Sequence, residues 1–262
     1  MSTRPYLART PVALAHRGGA LYEPNLGIEN TMTAFRNAVD LGYTHIETDV
    51  HATRDGRLVA FHDDRLDRVS DQQGRIRSLD WDEVRWARVG HGEHVPLLSE
   101  VIETFPEIKL NIDLKAPRTG ELLWELIEHR GLYDSVCVGS FYQREITTFR
   151  KVSAGRVATA ASHAGTILMR FGPRALSRML RSPADVFQVP PTYLLGRREV
   201  TVVTRKLVDA AHHFGKQVHV WTVDDPDEMH RLLDLGVDGL VSDRIDVLKD
   251  VLTDRNVWTG AG

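Results

Sequence analysis

Residues 43–63, YTHIETDVHATRDGRLVAFHD, decide how the rest of the chain is read. Side chains of a strand alternate between its faces, so a strand here sends Glu47, Asp49 and His51 one way and Ile46, Thr48 and Val50 the other. Asp55-Gly56 is a strong two-residue hairpin signal, because a type I′ turn needs positive φ at both central positions and this pair adopts it at low cost. With Arg54 facing Arg57 across that turn, Val50 is expected to pair with Phe61 and Asp49 with His62. Directly opposite residues project to one side of a ribbon, which gathers Glu47, Asp49 and His62 in one small area. A surface hairpin whose polar face meets water is the competing reading.

Working outward, 262 residues with 42% hydrophobic content suffice for one α/β domain spanning residues 1–262. A net charge of -3, from 33 basic and 36 acidic residues, argues against a nucleic-acid partner, so any phosphate recognition has to be local. The lone cysteine, Cys137, has no partner for an intrachain disulfide and sits in the apolar run SVCVGSF, which reads as a buried strand with an inert thiol. The first residues, MSTRPYLARTPVALAHRGG, lack the uncharged core of a signal peptide. No run approaches the roughly 18 apolar residues of a membrane span, so the expectation is a cytoplasmic protein without a stable membrane anchor.

VALAH (12–16) fits a buried parallel strand and ends at His16-Arg17-Gly18-Gly19. After Glu29-Asn30-Thr31, helical spacing starts, with Asn30 or Thr31 as N-cap. Residues 64–95 are polar and read as an insertion with a short helix near Trp81 to Ala87. KLNIDLK (109–115) then puts Asn111, Asp113 and Lys115 on one face of a strand. Beyond it, helices at 119–130, 143–151, near 165–180, 202–214, 226–234 and about 244–252 alternate with strands at 135–140, 156–160, 185–189, 217–223 and 238–243. Such alternation means a parallel sheet covered by helices. Nine strands are counted, and setting aside 58–62 as the hairpin partner leaves eight, the number of a (β/α)8 TIM barrel with an insertion after its second strand and hairpin.

A barrel of this kind carries its active site at the C-terminal ends of its strands. His16 and Arg17 end the first strand, Glu47 and Asp49 the second, Asp113 and Lys115 the third; Phe141 follows the fourth and Trp221 ends the seventh. With these residues in place, the chain resembles the glycerophosphodiester phosphodiesterases, barrel enzymes similar to the phosphatidylinositol-specific phospholipases. His16-Arg17-Gly18, Glu29-Asn30-Thr31, Glu47-x-Asp49, His62-Asp63, Pro96-x-Leu98-x-Glu100, Trp221-Thr222-Val223, Asp238-Gly239 and Ser242-Asp243 match the family's motifs in order and spacing over nearly the whole chain. Two features depart from it: the family's Glu-x-Lys is Asp113-Leu114-Lys115, and the loop from His-Arg-Gly to Glu-Asn-Thr is longer than usual.

The resemblance implies metal-dependent hydrolysis of a glycerophosphodiester to glycerol 3-phosphate and an alcohol. Glu47, Asp49 and Asp113 form an all-oxygen set suited to one Mg²⁺ or Ca²⁺, with Mn²⁺ also admissible, and unlike the His/Cys sets of zinc sites. Pairing of Asp113 with Lys115 alone is the plainer alternative. Arg17 and Lys115 are candidate phosphate clamps, and Glu29 and Asn30 further substrate contacts. His16 and His62 are candidate general acid and base, since imidazole titrates near neutrality. Phe141 and Trp221 offer an apolar wall for the glycerol backbone, and Gln188 a polar contact. The remaining ten of twelve histidines receive no role. Two alternatives stand beside this reading: a lysophospholipase D or other phosphodiesterase using the same site, and an idle barrel that binds phosphodiesters.

Overall fold

The computed structural model describes residues 4–161, 183–196 and 198–260. The chain opens with β1 (Val12–His16), α1 (Met32–Asp40) and the paired strands β2 (His45–Ala52) and β3 (Leu58–Ala60). An excursion follows, with α2 (Trp81–Val84) and the short strands β4 (Arg88–Val89) and β5 (Glu93–His94). The alternating part comprises α3 (Leu98–Thr104), β6 (Lys109–Leu114), α4 (Thr119–Arg130), β7 (Val136–Gly139), α5 (Gln143–Val152), β8 (Ala158–Thr159) and β9 (Val186–Val189). After a hairpin of β10 (Thr192–Leu195) and β11 (Arg198–Thr201) come α6 (Arg205–His213), β12 (Gln217–Val220), α7 (Pro226–Asp234), β13 (Gly239–Ser242) and α8 (Ile245–Asp254). The helix expected near 165–180 lies outside the described residues.

Parallel pairing runs β8-β7-β6-β2-β1-β13-β12-β9, and a parallel bridge between Ala160 and Val186 joins the two ends, which makes the expected (β/α)8 barrel. Alternation along each strand explains where the core sits. Ile46 and Val50 of β2, and Leu110, Ile112 and Leu114 of β6, face outward into a large cluster shared with the helices. The barrel interior is filled separately: Tyr6, Leu7, Cys137, Ala158, Ala160 and Val186 form one small cluster, and Val12, Leu14 and Val241 another beneath Trp221. Full burial pushes the Cys137 thiol far above its ordinary pKa, so it stays protonated and inert. Among the described residues no helix is long and apolar enough to cross a membrane.

The hairpin register differs from the expected one. Val50 pairs with Ala60 and His51 with Val59, and the Phe61 amide donates to the Asp49 carbonyl at 2.9 Å. The loop is one residue longer than a two-residue turn: the Thr53 amide donates to the Arg57 carbonyl at 2.9 Å, and Gly56 alone takes positive φ, +82°. Asp55 sits at the middle of this loop, its carboxylate accepting from Thr53 Oγ1 at 2.6 Å and from the Trp81 amide at 3.0 Å. Asp49 therefore stands opposite Phe61, and His62 lies beyond the end of β3. The excursion has a core of its own, built on Phe61, Leu66, Ile76, Val84, Val89 and Val95. Its helix stops at Val84, short of the expected Ala87, and the β10–β11 hairpin was not anticipated from the sequence.

Candidate active site

The turn after β1 is set by close packing on α1. A Cβ on Gly18, at φ +84°, would stand 2.9 Å from the Ala34 carbonyl carbon and 3.0 Å from Phe35 Cδ1, so only glycine lets the turn sit this tightly on the helix. Arg17 beside it also has positive φ, +51°. His16 Nδ1 lies 2.7 Å from Asp243 Oδ1, and its Nε2 is 3.8 Å from Glu47 Oε2. Burial pushes the imidazole pKa down, but Glu47 and Asp243 outweigh that and hold it above its ordinary value. Asp243 is itself fixed: Asp224 Oδ1 accepts from the amides of Asp243 (2.8 Å) and Arg244 (3.3 Å) and from Ser242 Oγ (2.9 Å).

β2 and β6 pair in parallel with Asp49 beside Asp113, which sends both carboxylates into the barrel mouth at one level. Lys115 Nζ lies between them, 2.9 Å from Asp49 Oδ1 and 2.7 Å from Asp113 Oδ2. Burial and the neighbouring Asp49 push Glu47 up to about 7, and burial raises Asp113 also. For Asp49, burial acts upward but Lys115 and Arg17 prevail and hold it below the usual carboxylate range. Three carboxylates are thus more negative charge than Lys115 alone neutralises, a donor set whose chemistry fits a hard divalent cation. As arranged here, no group of three or more His, Cys, Asp or Glu side chains among the described residues is disposed to hold a metal ion.

His62 completes the set from beyond β3, with Nδ1 2.6 Å from Asp63 Oδ1. His16, Arg17, Glu47, Asp49, His62, Asp113 and Lys115 all line one cavity of about 170 Å³. Phe141, Gln188 and Trp221 line it too, with the Phe141 and Trp221 rings edge-to-face at 5.5 Å and Lys115 Nζ 5.4 Å from the Phe141 centroid. Gln188 Nε2 donates to Asn111 Oδ1 at 2.9 Å. Glu29 and Asn30 stand behind the lining. Glu29 Oε1 accepts from Arg17 Nη1 at 3.1 Å, while Asn30 Nδ2 donates to Asp49 Oδ2 at 3.0 Å and its Oδ1 accepts from Thr48 Oγ1 at 2.7 Å. His51 shares its strand face with Asp49 but turns to the His62 carbonyl, 3.1 Å from its Nε2.

Asp243, Asp63, Arg68 and Asn111 had no role in the sequence reading. Ser242-Asp243 and His62-Asp63 were visible as motifs, but only the fold shows which nitrogen each carboxylate meets. Arg68 had no signal in the sequence.

The sequence pattern of the glycerophosphoryl diester phosphodiesterase family matches residues 16–247. The chain belongs to that family. A relative in Mycobacterium tuberculosis, a probable glycerophosphodiester phosphodiesterase 2, is 39% identical over 255 residues, covering 95% of this chain and 94% of its own. A relative from mouse, a lysophospholipase D, is 29% identical over 271 residues, covering 91% of this chain and 85% of its own. Among solved structures, an Oleispira antarctica phosphodiesterase in complex with the product sn-glycerol-3-phosphate shares the fold, with a TM-score of 0.75 at 22% identity over 93% of this chain and 97% of that one.

Proposed function

We propose that this family member hydrolyses glycerophosphodiesters to glycerol 3-phosphate and an alcohol. The observation that carries the reading is a pair of histidines, His16 and His62, opening on one cavity with a carboxylate behind each Nδ1, at 2.7 and 2.6 Å. A carboxylate on Nδ1 holds the proton there and leaves Nε2 free to accept or donate one. One imidazole takes the proton of the attacking hydroxyl, the substrate's own glycerol 2-hydroxyl, as its oxygen bonds to phosphorus. The other gives a proton to the departing alcohol as the phosphorus–oxygen ester bond breaks. Water then opens the cyclic phosphate by the reverse exchange. Arg17 and Lys115 supply positive charge to the phosphoryl oxygens, whose charge grows in the transition state.

Glu47, Asp49 and Asp113 are the residues that would hold a divalent ion, Mg²⁺ or Ca²⁺ with Mn²⁺ admissible. Such an ion adds electrostatic stabilisation of the phosphoryl group. Phe141 and Trp221 then exclude water from the side of the glycerol carbons. The relative named as a lysophospholipase D keeps a second reading open, and one observation favours it: Leu21, Leu26, Phe141, Tyr142 and Leu194, all exposed, follow barrel strands at the face where the cavity opens.

The test is release by chelated protein of glycerol 3-phosphate from glycerophosphocholine and glycerophosphoethanolamine, and of choline with lysophosphatidic acid from lysophosphatidylcholine, with Mg²⁺, Ca²⁺ or Mn²⁺ returned singly. Metal-dependent release from the first two that is lost in His16→Ala establishes the reading. Turnover of the lysophospholipid alone transfers it to the second, and silence with every diester and ion refutes both.

A further inference from the structure

Arg68 lies on a single 3₁₀ turn, Leu66–Arg68, in the excursion after β3, and it spans two carboxylates that each stand behind a group facing the cavity. Toward His62, Arg68 Nε donates to Asp63 Oδ2 at 2.7 Å and Nη2 to Asp63 Oδ1 at 3.2 Å, the same Oδ1 that lies 2.6 Å from His62 Nδ1. Toward Arg17, Arg68 Nη2 donates to Glu29 Oε1 at 2.6 Å and Nη1 to Glu29 Oε2 at 3.3 Å; Arg17 Nη1 reaches that Oε1 at 3.1 Å. A planar guanidinium with five fixed donors can hold two carboxylates in one geometry, which an ammonium cannot reproduce.

The turn that presents Arg68 is anchored by the excursion's own packing. Leu66 is 1% exposed in that separate core, its amide donates to the Gly74 carbonyl at 3.0 Å, and the Ser70 amide returns to the Leu66 carbonyl at 3.1 Å. Without Arg68, Asp63 is free to swing from the imidazole, and Glu29 loses the partner that fixes it against Arg17. The side chain is 47% exposed, so its ion pairs add little to stability. What they fix is direction: the Nδ1 proton of His62 toward Asp63, hence Nε2 toward the cavity, and the guanidinium of Arg17 toward the same space.

We propose that Arg68 is a positioning residue that aligns His62 and Arg17 at once, and that the excursion after β3 completes the active site by supplying it. The proposal rests on the phosphodiesterase reading for its effect on turnover and on geometry alone for its effect on His62. Displacing a reacting group by about 1 Å can cost about a hundredfold in rate.

The experiment compares wild type, Arg68→Ala, Arg68→Lys and Arg65→Ala, which removes a neighbour that pairs with Asp67 instead, at 3.0 Å. Expected are a kcat for glycerophosphocholine about tenfold to a hundredfold lower in Arg68→Ala, a smaller change in KM, partial recovery in Arg68→Lys, and wild-type turnover in Arg65→Ala. The imidazole ¹⁵N shifts of His62 report its tautomer without turnover and are expected to move in Arg68→Ala but not in Arg65→Ala. Wild-type kcat with unmoved shifts in Arg68→Ala, or equal losses in both alanine variants, overturns the proposal. Should Arg68→Ala not fold, Arg68→Gln takes its place in both arms. If the wild type cleaves no diester, the phosphodiesterase reading falls while the His62 shifts still decide the role of Arg68.

Discussion

Replacing Asp243 by asparagine removes one charge from behind His16 and leaves the surrounding chain in place. The main-chain amide of Asp243 is held by Asp224 Oδ1 at 2.8 Å, and Ser242 Oγ by the same oxygen at 2.9 Å, so neither contact depends on the substituted carboxylate. What changes is the 2.7 Å contact with His16 Nδ1. A hydrogen bond to a charged group is worth about 1.5–3 kcal/mol, roughly twice a neutral one. On the proposed mechanism the imidazolium forms in the step, so most of that difference, about 0.75–1.5 kcal/mol, appears in the barrier, which at 1.36 kcal/mol per tenfold predicts a kcat lower by about fourfold to 13-fold. An amide that presents its N–H₂ to Nδ1 forces the other tautomer and pushes the loss to the upper end. The assay is continuous detection of glycerol 3-phosphate released from glycerophosphocholine at saturating substrate, with thermal melting beside it to show an intact fold. A kcat within twofold of wild type at unchanged melting temperature refutes the role given to Asp243.

Three other outcomes follow from different parts of the molecule. His219 is fully buried, and burial together with the nearby His45 pushes its pKa down to about 3; because the unfolded chain titrates at about 6.5, stability is complete above that pH and lost as pH falls toward 3. From about pH 7.5 to about pH 5 this costs about 2 kcal/mol, so urea unfolding of His219→Gln should show that much less acid dependence than wild type, and an equal slope would exclude the assignment. Gly18→Ala, with positive φ and a Cβ 2.9 Å from the Ala34 backbone, should lose about 2–4 kcal/mol by urea midpoint; a loss under about 1 kcal/mol would mean that the β1–α1 turn yields freely. Lys115→Met leaves Asp49 and Asp113 without their shared cation. Its melting temperature should fall, and added Mg²⁺ or Ca²⁺ should raise it more than it raises the wild type's; no ion-dependent rise in either protein would count against the three carboxylates as ligands.

The barrel was legible in the sequence because its strands are amphipathic in a particular way. Outward positions such as Ile112 and Leu114 are apolar, while inward ones at the mouth, Asp113 and Lys115, are charged, so period-2 alternation located both the strand and the site on one stretch. Helix ends were legible where the stop is chemical: α4 ends at Arg130 because Gly131 takes φ +68° as its C-cap, and α7 begins at Pro226 because Asp225 caps the Glu228 amide at 2.9 Å. The hairpin register was not legible, since the Asp55 carboxylate is shared between Thr53 within the loop and the Trp81 amide, a tertiary partner that no local turn rule contains. The β10–β11 ribbon was missed for a related reason: its strands are four residues each and β11 is largely exposed, leaving no apolar alternation to detect.

Within the site, the residues that face the cavity and those that brace them carry the same chemistry, and this is why sequence separates them poorly. Glu29 and Asn30 were expected at the substrate and stand one layer behind it, on Arg17 and Asp49. Asp243 and Arg68, given no role, touch the groups that face the cavity or the carboxylates behind them. A carboxylate, amide or guanidinium serves equally to bind an anion's surroundings or to orient a neighbour, and the choice depends on which strand end or turn lifts it above the rim. Here the cavity-facing groups lie on barrel strands or within two residues past their C-terminal ends, or at His62 just past β3, while the bracing Glu29, Asn30 and Arg68 come from connecting segments and Asp243 from the residue after β13. The barrel thus fixes where the cavity-facing groups stand, and Asp243 behind His16, Asp63 behind His62 and Glu29 behind Arg17 fix the direction each one takes.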